Sequence, residues 1–179
     1  MMTFDLQPIL KNNLILLRPL RQEDYDSLYQ VAKDPLIWGQ HPCDRSKKNE
    51  FEIFFKESMA SKGALLIINK LSNEVIGSSR FNEIEGVNSA IEIGWSFLAR
   101  KYWGGKFNKE IKNLMIDYAF KYIDDLIFCI DKDNIRSQKA VEKISGERIT
   151  GSEYRHLIKE NDTNLTFLIN KKNWRNLKI

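Results

Sequence analysis

The sequence predicts an α+β (mixed α/β) domain: a central, mostly antiparallel twisted sheet of about seven strands with helices on both faces. Residues 64–70, 74–82 and 89–98 form three consecutive apolar runs joined by short turns rich in Ser, Asn and Gly, the pattern of an antiparallel meander. Residues 91–98 then feed a basic, aromatic turn with two adjacent glycines that opens a strongly periodic helix. With 179 residues and 42% hydrophobic content, the chain has material for a single domain, residues 1–179, around one real core.

The other elements follow in order. Residues 14–20 read as a short apolar strand closed by Arg18-Pro19. Residues 21–33 place Tyr25, Leu28, Tyr29 and Ala32 on one helical face, with Glu23, Asp24 and Asp26 where the helix dipole favours acids. Asp34-Pro35 stops that helix. The loop 36–46, with Trp38, Gly39, His41, Pro42 and Cys43, has no periodicity and reads as a connector or a pocket wall. Residues 48–62 make a second helix with Phe51, Phe54, Phe55 and Met59 on one side. Beyond the central helix come a buried strand (126–130), a polar turn (131–134) and a short helix with Ser137, Ala140, Val141 and Ile144 inward. Two further strands, about 147–158 and 163–170, flank a turn at Glu160-Asn161-Asp162. The strand and helix order is therefore β-α-α-β-β-β-α-β-α-β-β, a mixed sheet covered on both faces.

The segment 91–122 carries most of the functional signal. Ile91, Ile93, Trp95 and Phe97 alternate with Glu92, Gly94 and Ser96, as in a strand. Phe107, Ile111, Leu114, Met115, Tyr118 and Tyr122 then repeat at helical spacing. The first N–H groups of that helix lack internal partners and face the glycine turn, a natural seat for phosphate. Arg100, Lys101, Lys106 and Lys109 surround it, either as anion ligands or as solvated lysines. The turn lacks both the P-loop pattern and the G-x-G-x-x-G dinucleotide fingerprint.

Composition excludes several classes. Net charge is +4 and the pI about 9.0, with no concentrated basic stripe, so a nucleic-acid partner is not expected. The basic tail Lys171, Lys172, Arg175 and Lys178 reads as a solvated end. Cys43 and Cys129 form no metal-ligand pattern, and Cys129 reads as a buried core thiol. No signal peptide or membrane span is indicated, so the expectation is a cytoplasmic protein with no membrane partner and no metal.

Three stretches in this order, GSSRF at residues 77–81, EIGWSFLARKYWGGKFNKE at 92–110 and DNIRSQKAVEKISG at 133–146, resemble the GNAT superfamily of acetyl-CoA-dependent N-acetyltransferases. The closest resemblance is to the branch of the RimJ and RimL ribosomal-protein N-terminal acetyltransferases, and it spans nearly the whole chain. It implies a GNAT-like sheet splayed between two strands by a bulge, with pantetheine in the gap. Phe97, Leu98 and Ala99 would face pantetheine, mainly through backbone groups. Trp103, Gly104, Gly105, Lys106, Phe107, Asn108 and Lys109 would hold the pyrophosphate. Asn134 matches a position that bonds the cofactor arm, and is equally readable as the N-cap of the short helix. The chain departs from the family pattern at Lys106, where Gly is usual, and at Asn108, where Gly or Ala is usual. It has Ser145 in place of a common glycine and Val141 in place of a tyrosine general acid.

Acetyl transfer to an amine needs a neutral nucleophile, donors for the oxyanion and a proton for the departing thiolate. The resemblance makes Glu92 the candidate base, although alternation alone also permits a surface carboxylate or an arginine partner. Backbone N–H groups at Phe97 and Leu98 would serve the oxyanion. Ser137 is the candidate near the leaving sulfur, and equally reads as a helix residue packed near the cofactor. Trp38, His41 and Tyr154 are candidate acceptor-pocket residues. The acceptor expected is an amine-bearing small molecule or a protein N-terminus, handled by a monomer or homodimer. The alternative is a non-catalytic CoA-binding regulatory module.

Overall fold

The computed structural model describes residues 4–158 and 163–176, and of Arg175 and Asn176 only the backbone. The elements in chain order are β1 (Leu10–Lys11), β2 (Ile15–Pro19), α1 (Tyr25–Ala32), α2 (Lys48–Ala60), β3 (Ala64–Asn69), β4 (Glu74–Ile84), β5 (Val87–Leu98), α3 (Lys106–Ala119), β6 (Asp125–Asp131), α4 (Ile135–Glu142), β7 (Glu147–Arg148), β8 (Asn164–Asn170) and α5 (Lys171–Asn176). Among the described residues the strands form one eight-stranded sheet in the order β1-β2-β3-β4-β5-β6-β8-β7, antiparallel except for β5 against β6.

Each face of this sheet carries its own core. On one side α3 buries Ile111, Met115, Ile116 and Ala119 against Ile15, Leu17, Ile67, Ile91 and Ile93. On the other, α1 and α2 bring Leu28, Phe51, Phe54 and Phe55 onto Leu66, Ile68 and Phe97. The run 64–69 is buried at every position because both of its faces are covered.

Three features depart from the sequence reading. The predicted long strand over 147–158 is only Glu147–Arg148, paired with Leu168 and Phe167. The chain then turns at Gly151 (φ 127°) into a 3-10 turn at Ser152–Tyr154. Ile149 and Leu157 tuck beneath it against Ile84, Ala90 and Ile127, so that apolar content serves a small core rather than a ladder. The predicted turn at 160–162 lies outside the described residues, as does Lys178. Lys171 opens α5, whose Trp174 is buried in the main core, so this stretch is not simply a solvated tail. Cys129 is half-buried rather than fully buried: it packs against the small core of Ile127 and Ile149 and also lines a cavity.

The departure that matters most is a bulge in β5. Ser78 pairs with Phe97 but Arg80 pairs with Gly94, so β5 spends one residue more than β4 over this stretch. Trp95 absorbs the extra residue at φ +51°. The bulge breaks the simple alternation read from the sequence. Ile91 and Ile93 face α3, whereas Trp95 and Phe97 join the core under α1 and α2. Opposite the bulge, Gly77 allows the two backbones to close: a Cβ there would lie 2.0 Å from the Phe97 carbonyl oxygen. Gly77→Ala is therefore expected to destabilise the fold by about 1–3 kcal/mol, read as a lower urea midpoint, because only backbone can yield.

Candidate active site

Strands β5 and β6 pair only at Ala90–Asp125, Ile91–Leu126 and Glu92–Ile127. Past Glu92 they diverge, and a cavity of about 340 Å³ opens between them. Its walls include Glu92 to Ser96 from β5, Asn108 and Lys112 from α3, Phe128 to Asp131 from β6, and Asn134, Ser137 and Val141 from α4 and its cap. His41, Pro42 and Arg45 close it from the loop before α2.

Glu92 sits at the apex of this opening, 3% exposed, and accepts a hydrogen bond from Asn82 Nδ2 at 3.2 Å. It is the last residue of β5 held by strands on both sides, so the sheet fixes its position. Asn134 is buried and caps α4, accepting from the Ser137 backbone N–H at 3.1 Å. The N-cap role anticipated for it is thus present, with its side chain also on the cavity wall. Ser137 and Val141 line the wall one helical turn apart.

The glycine turn meets α3 in a form suited to an anion. Gly104 takes the left-handed conformation (φ +69°), and Gly105 caps α3 without a side chain. The first turn of α3 carries no acidic residue, and its leading N–H groups receive no side-chain cap. Lys106 begins the helix without positive φ, so the side chain standing where glycine is usual strains nothing. Trp103 donates its indole N–H to the Leu98 carbonyl at 2.9 Å, and the Arg136 guanidinium stacks 4.0 Å over its ring. Arg136 also donates to the Ile37 carbonyl at 2.8 Å, tying α4 to the loop before α2.

The cavity unites Glu92, Ser137, Asn134, Asn108 and His41. Phe97 and Leu98 bury their side chains in the two cores, leaving backbone to present to a ligand, and Ala99 spends its N–H on the Ile76 carbonyl. Gly104, Gly105, Lys106 and Lys109 are exposed beside the cavity, and Phe107 is half-buried. Trp38 is buried: its indole donates to the Ala32 carbonyl at 2.7 Å and its ring lies 5.2 Å from that of His41. Tyr154 packs over the small core of Ile149 and Leu157, away from the lining.

Three cations escaped sequence reasoning. Lys112 is 6% exposed, with its Nζ donating to Ser96 Oγ at 2.7 Å and lying 5.3 Å from the Phe128 ring centre. Burial pushes its pKa down to about 7. A signal existed, because Lys112 shares the buried stripe of Met115, Ile116 and Ala119 at helical spacing. Arg80 is 5% exposed and stacks 4.4 Å over Trp95. Arg45 stacks on Phe54 (4.4 Å) and Trp38 (5.2 Å). These two depend on the bulge and on a loop, which have no sequence period. His41 is driven down to about 4, first by burial and then by Arg45 and Arg136, so it is neutral at pH 7.

The sheet opens past a buried carboxylate, and α3 starts beside the opening with no side-chain cap and no acidic residue in its first turn. The family model for the acetyltransferase (GNAT) domain matches residues 15–146, and the chain belongs to that family of acetyl-CoA-dependent N-acetyltransferases. It is 28% identical over 142 residues, 75% of this chain and 79% of the relative, to the uncharacterized N-acetyltransferase p20 of Bacillus licheniformis. Its fold is similar to that of a GCN5-related N-acetyltransferase from Brucella melitensis (TM-score 0.80, 19% identity, 96% of this chain and 82% of that one). It is also similar to that of spermidine N-acetyltransferase from Vibrio cholerae, solved with CoA and spermine (TM-score 0.67, 14% identity, 92% and 99% covered). Among the described residues no helix is long and apolar enough to cross a membrane.

Proposed function

We propose that this acetyltransferase moves the acetyl group of acetyl-CoA to a primary amine by direct attack in a ternary complex, with Glu92 as the base. The observation that carries this reading is the buried Glu92 carboxylate at the apex of the β5–β6 opening. Pantetheine would run along the unpaired edge of β5 at Phe97, Leu98 and Ala99. The pyrophosphate would rest on residues 103–109, whose uncapped N–H groups and lysines suit it. Asn134 lies where it can meet the cofactor arm while capping α4. Overall an N–C bond replaces the C–S bond, and one amine proton ends on the CoA sulfur. Ser137 is the hydroxyl on the α4 side of the cavity available to relay it, since Val141 has no proton to give.

The acceptor enters from the side of the loop before α2, where His41 lines the cavity and Trp38 fixes its ring. Tyr154 has no part in this reading. The RimJ/RimL-like motifs support an acceptor that is a protein N-terminus or a small amine. Lys106, Asn108 and the absence of a tyrosine at Val141 are what favour a non-catalytic CoA-binding module; of these, Lys106 and Asn108 fit the first turn of α3 without positive φ.

Saturating acetyl-CoA is expected to raise the melting temperature, since a ligand bound only to the native state stabilises it by mass action. An amine panel monitored for thiol release should contain at least one acceptor. No stabilisation at saturating acetyl-CoA would sink the proposal.

A further inference from the structure

Lys112 reaches from α3 into the opening between β5 and β6. Its Nζ donates to Ser96 Oγ on β5 at 2.7 Å and lies 5.3 Å from the centre of the Phe128 ring on β6. Ser96, Phe128 and Lys112 all line the cavity. The amine therefore stands between the two diverging strands, where a ligand inserted between them must pass it. Register gives its depth. Glu92 and Ile127 form the last β5–β6 pair, and Phe128 is the next residue along β6. On α3, Lys112 stands one turn beyond Asn108. The Nζ thus lies toward the Glu92 end of the opening, deeper than residues 103–109.

Among the described residues Lys112 is the only buried lysine. An ordinary lysine is protonated at pH 7 and has no lone pair to attack with. Burial pushes the Lys112 amine down to about 7, so near neutrality a large share of the chains carry it uncharged. The titratable groups that share its cavity are Glu92 from β5, Cys129 and Asp131 from β6, and His41 and Arg45 from the loop before α2; α4 lines it with uncharged residues. Neither carboxylate forms an ion pair with Lys112 among the described residues, so neither holds the proton on. The hydrogen bond to Ser96 uses one N–H and leaves the lone pair of the neutral amine open to the cavity. Desolvation of this kind is one way a lysine becomes a nucleophile.

Resting on the proposed acetyltransferase reading, we infer that Lys112 Nζ is itself an acetylation site, modified by acetyl-CoA held in the same cavity. The neutral amine attacks the acetyl carbon. An N–C bond forms, the C–S bond breaks, one amine proton passes to the departing sulfur, and CoA leaves as the free thiol. The product is a neutral amide whose remaining N–H can still donate to Ser96 Oγ. Acetylation also removes the cost of burying an ammonium there, which favours the modified chain.

The test incubates the full-length protein with acetyl-CoA and no added amine, follows the intact mass, and maps the acetyl group by peptide mass spectrometry. One acetyl group per chain, on Lys112, is expected. Its rate of addition should rise about fivefold from pH 6 to pH 7 and level off above pH 8, following the neutral fraction of an amine that titrates near 7. An exposed lysine, titrating near ~10.4, would instead gain about tenfold per pH unit up to pH 9. The Lys112→Met chain should lose this acetyl group and keep its thermal stabilisation by acetyl-CoA. In urea, the unfolded wild-type chain should acetylate Lys112 no faster than its other lysines. Acetyl groups spread over the exposed lysines overturn the inference, as does a rate at Lys112 that is the same folded and unfolded. Stabilisation by acetyl-CoA with Lys112 unmodified overturns it as well. Absence of that stabilisation instead strikes the acetyltransferase reading itself.

Discussion

Glu92→Gln is expected to lower kcat by about 10²–10⁴-fold, the usual worth of a positioned general base. The amine must shed a proton to attack, and a free alkyl ammonium with a pKa near ~10 is almost wholly charged at pH 7. Glutamine keeps the size of the side chain and can still accept from Asn82, so the apex of the opening should stay intact. Acetyl-CoA affinity should be unchanged, because pantetheine and pyrophosphate are assigned to backbone groups elsewhere. The informative measurement is kcat across pH: an amine already deprotonated at high pH needs less help, so the deficit should shrink as pH rises. A uniform loss across pH, or a kcat within about threefold of wild type, would remove Glu92 from the role of base.

Much of this molecule was legible because its signals are periodic. The meander 64–98, the helix after Gly105 and the short helix after Asn134 each repeat apolar residues at strand or helix spacing, and each formed where that spacing placed it. Two opposed helical layers and one sheet followed from their order. Features that depend on a single backbone conformation were not legible. Nothing about a tryptophan announces φ +51°, yet the bulge at Trp95 decides which face Trp95 and Phe97 occupy. Residues 147–158 failed as a strand because Gly151 turns the chain and the small core beneath Ile149 and Leu157 captures the apolar residues. In the site, Glu92 and Ser137 could be named because they belong to periodic elements with a family resemblance. The burial of Arg45 and Arg80 against aromatic rings could not, since Arg45 lies on a loop without periodicity and Arg80 meets Trp95 at the bulge. Lys112 was hidden for the opposite reason: it lies on a helix whose long charged side chains normally snorkel to solvent.

Lys112→Met is expected to be more stable than wild type at pH 6, with the gap narrowing as pH rises. The Lys112 amine is buried between α3 and β5, donates to Ser96 Oγ, and has the Phe128 ring as a compensating face. No carboxylate pairs with it among the described residues. Burial lowers its folded pKa to about 7 from the ordinary value of 10.5. Between those values the unfolded chain binds a proton that the native state releases, so wild-type stability climbs with pH across that window. Above 10.5 both states are neutral and the native state suffers no charge penalty; as pH falls through 7 it must bury the ammonium in full. The window is worth on the order of 4 kcal/mol between pH 6 and 10 by linkage. Arg80 and Tyr118 also titrate abnormally, down to about 10 and up to about 12, but both remain in the variant and cancel in the comparison. Methionine fills nearly the same length beside Phe128, and Ser96 Oγ retains its 2.7 Å contact with Ser79 Oγ, so little else is lost. Urea midpoints of both proteins at pH 6, 8 and 10 give the measurement. A stability difference constant across pH would mean that Lys112 keeps its proton in the native state throughout, and that the cavity between β5 and β6 admits enough water to solvate it.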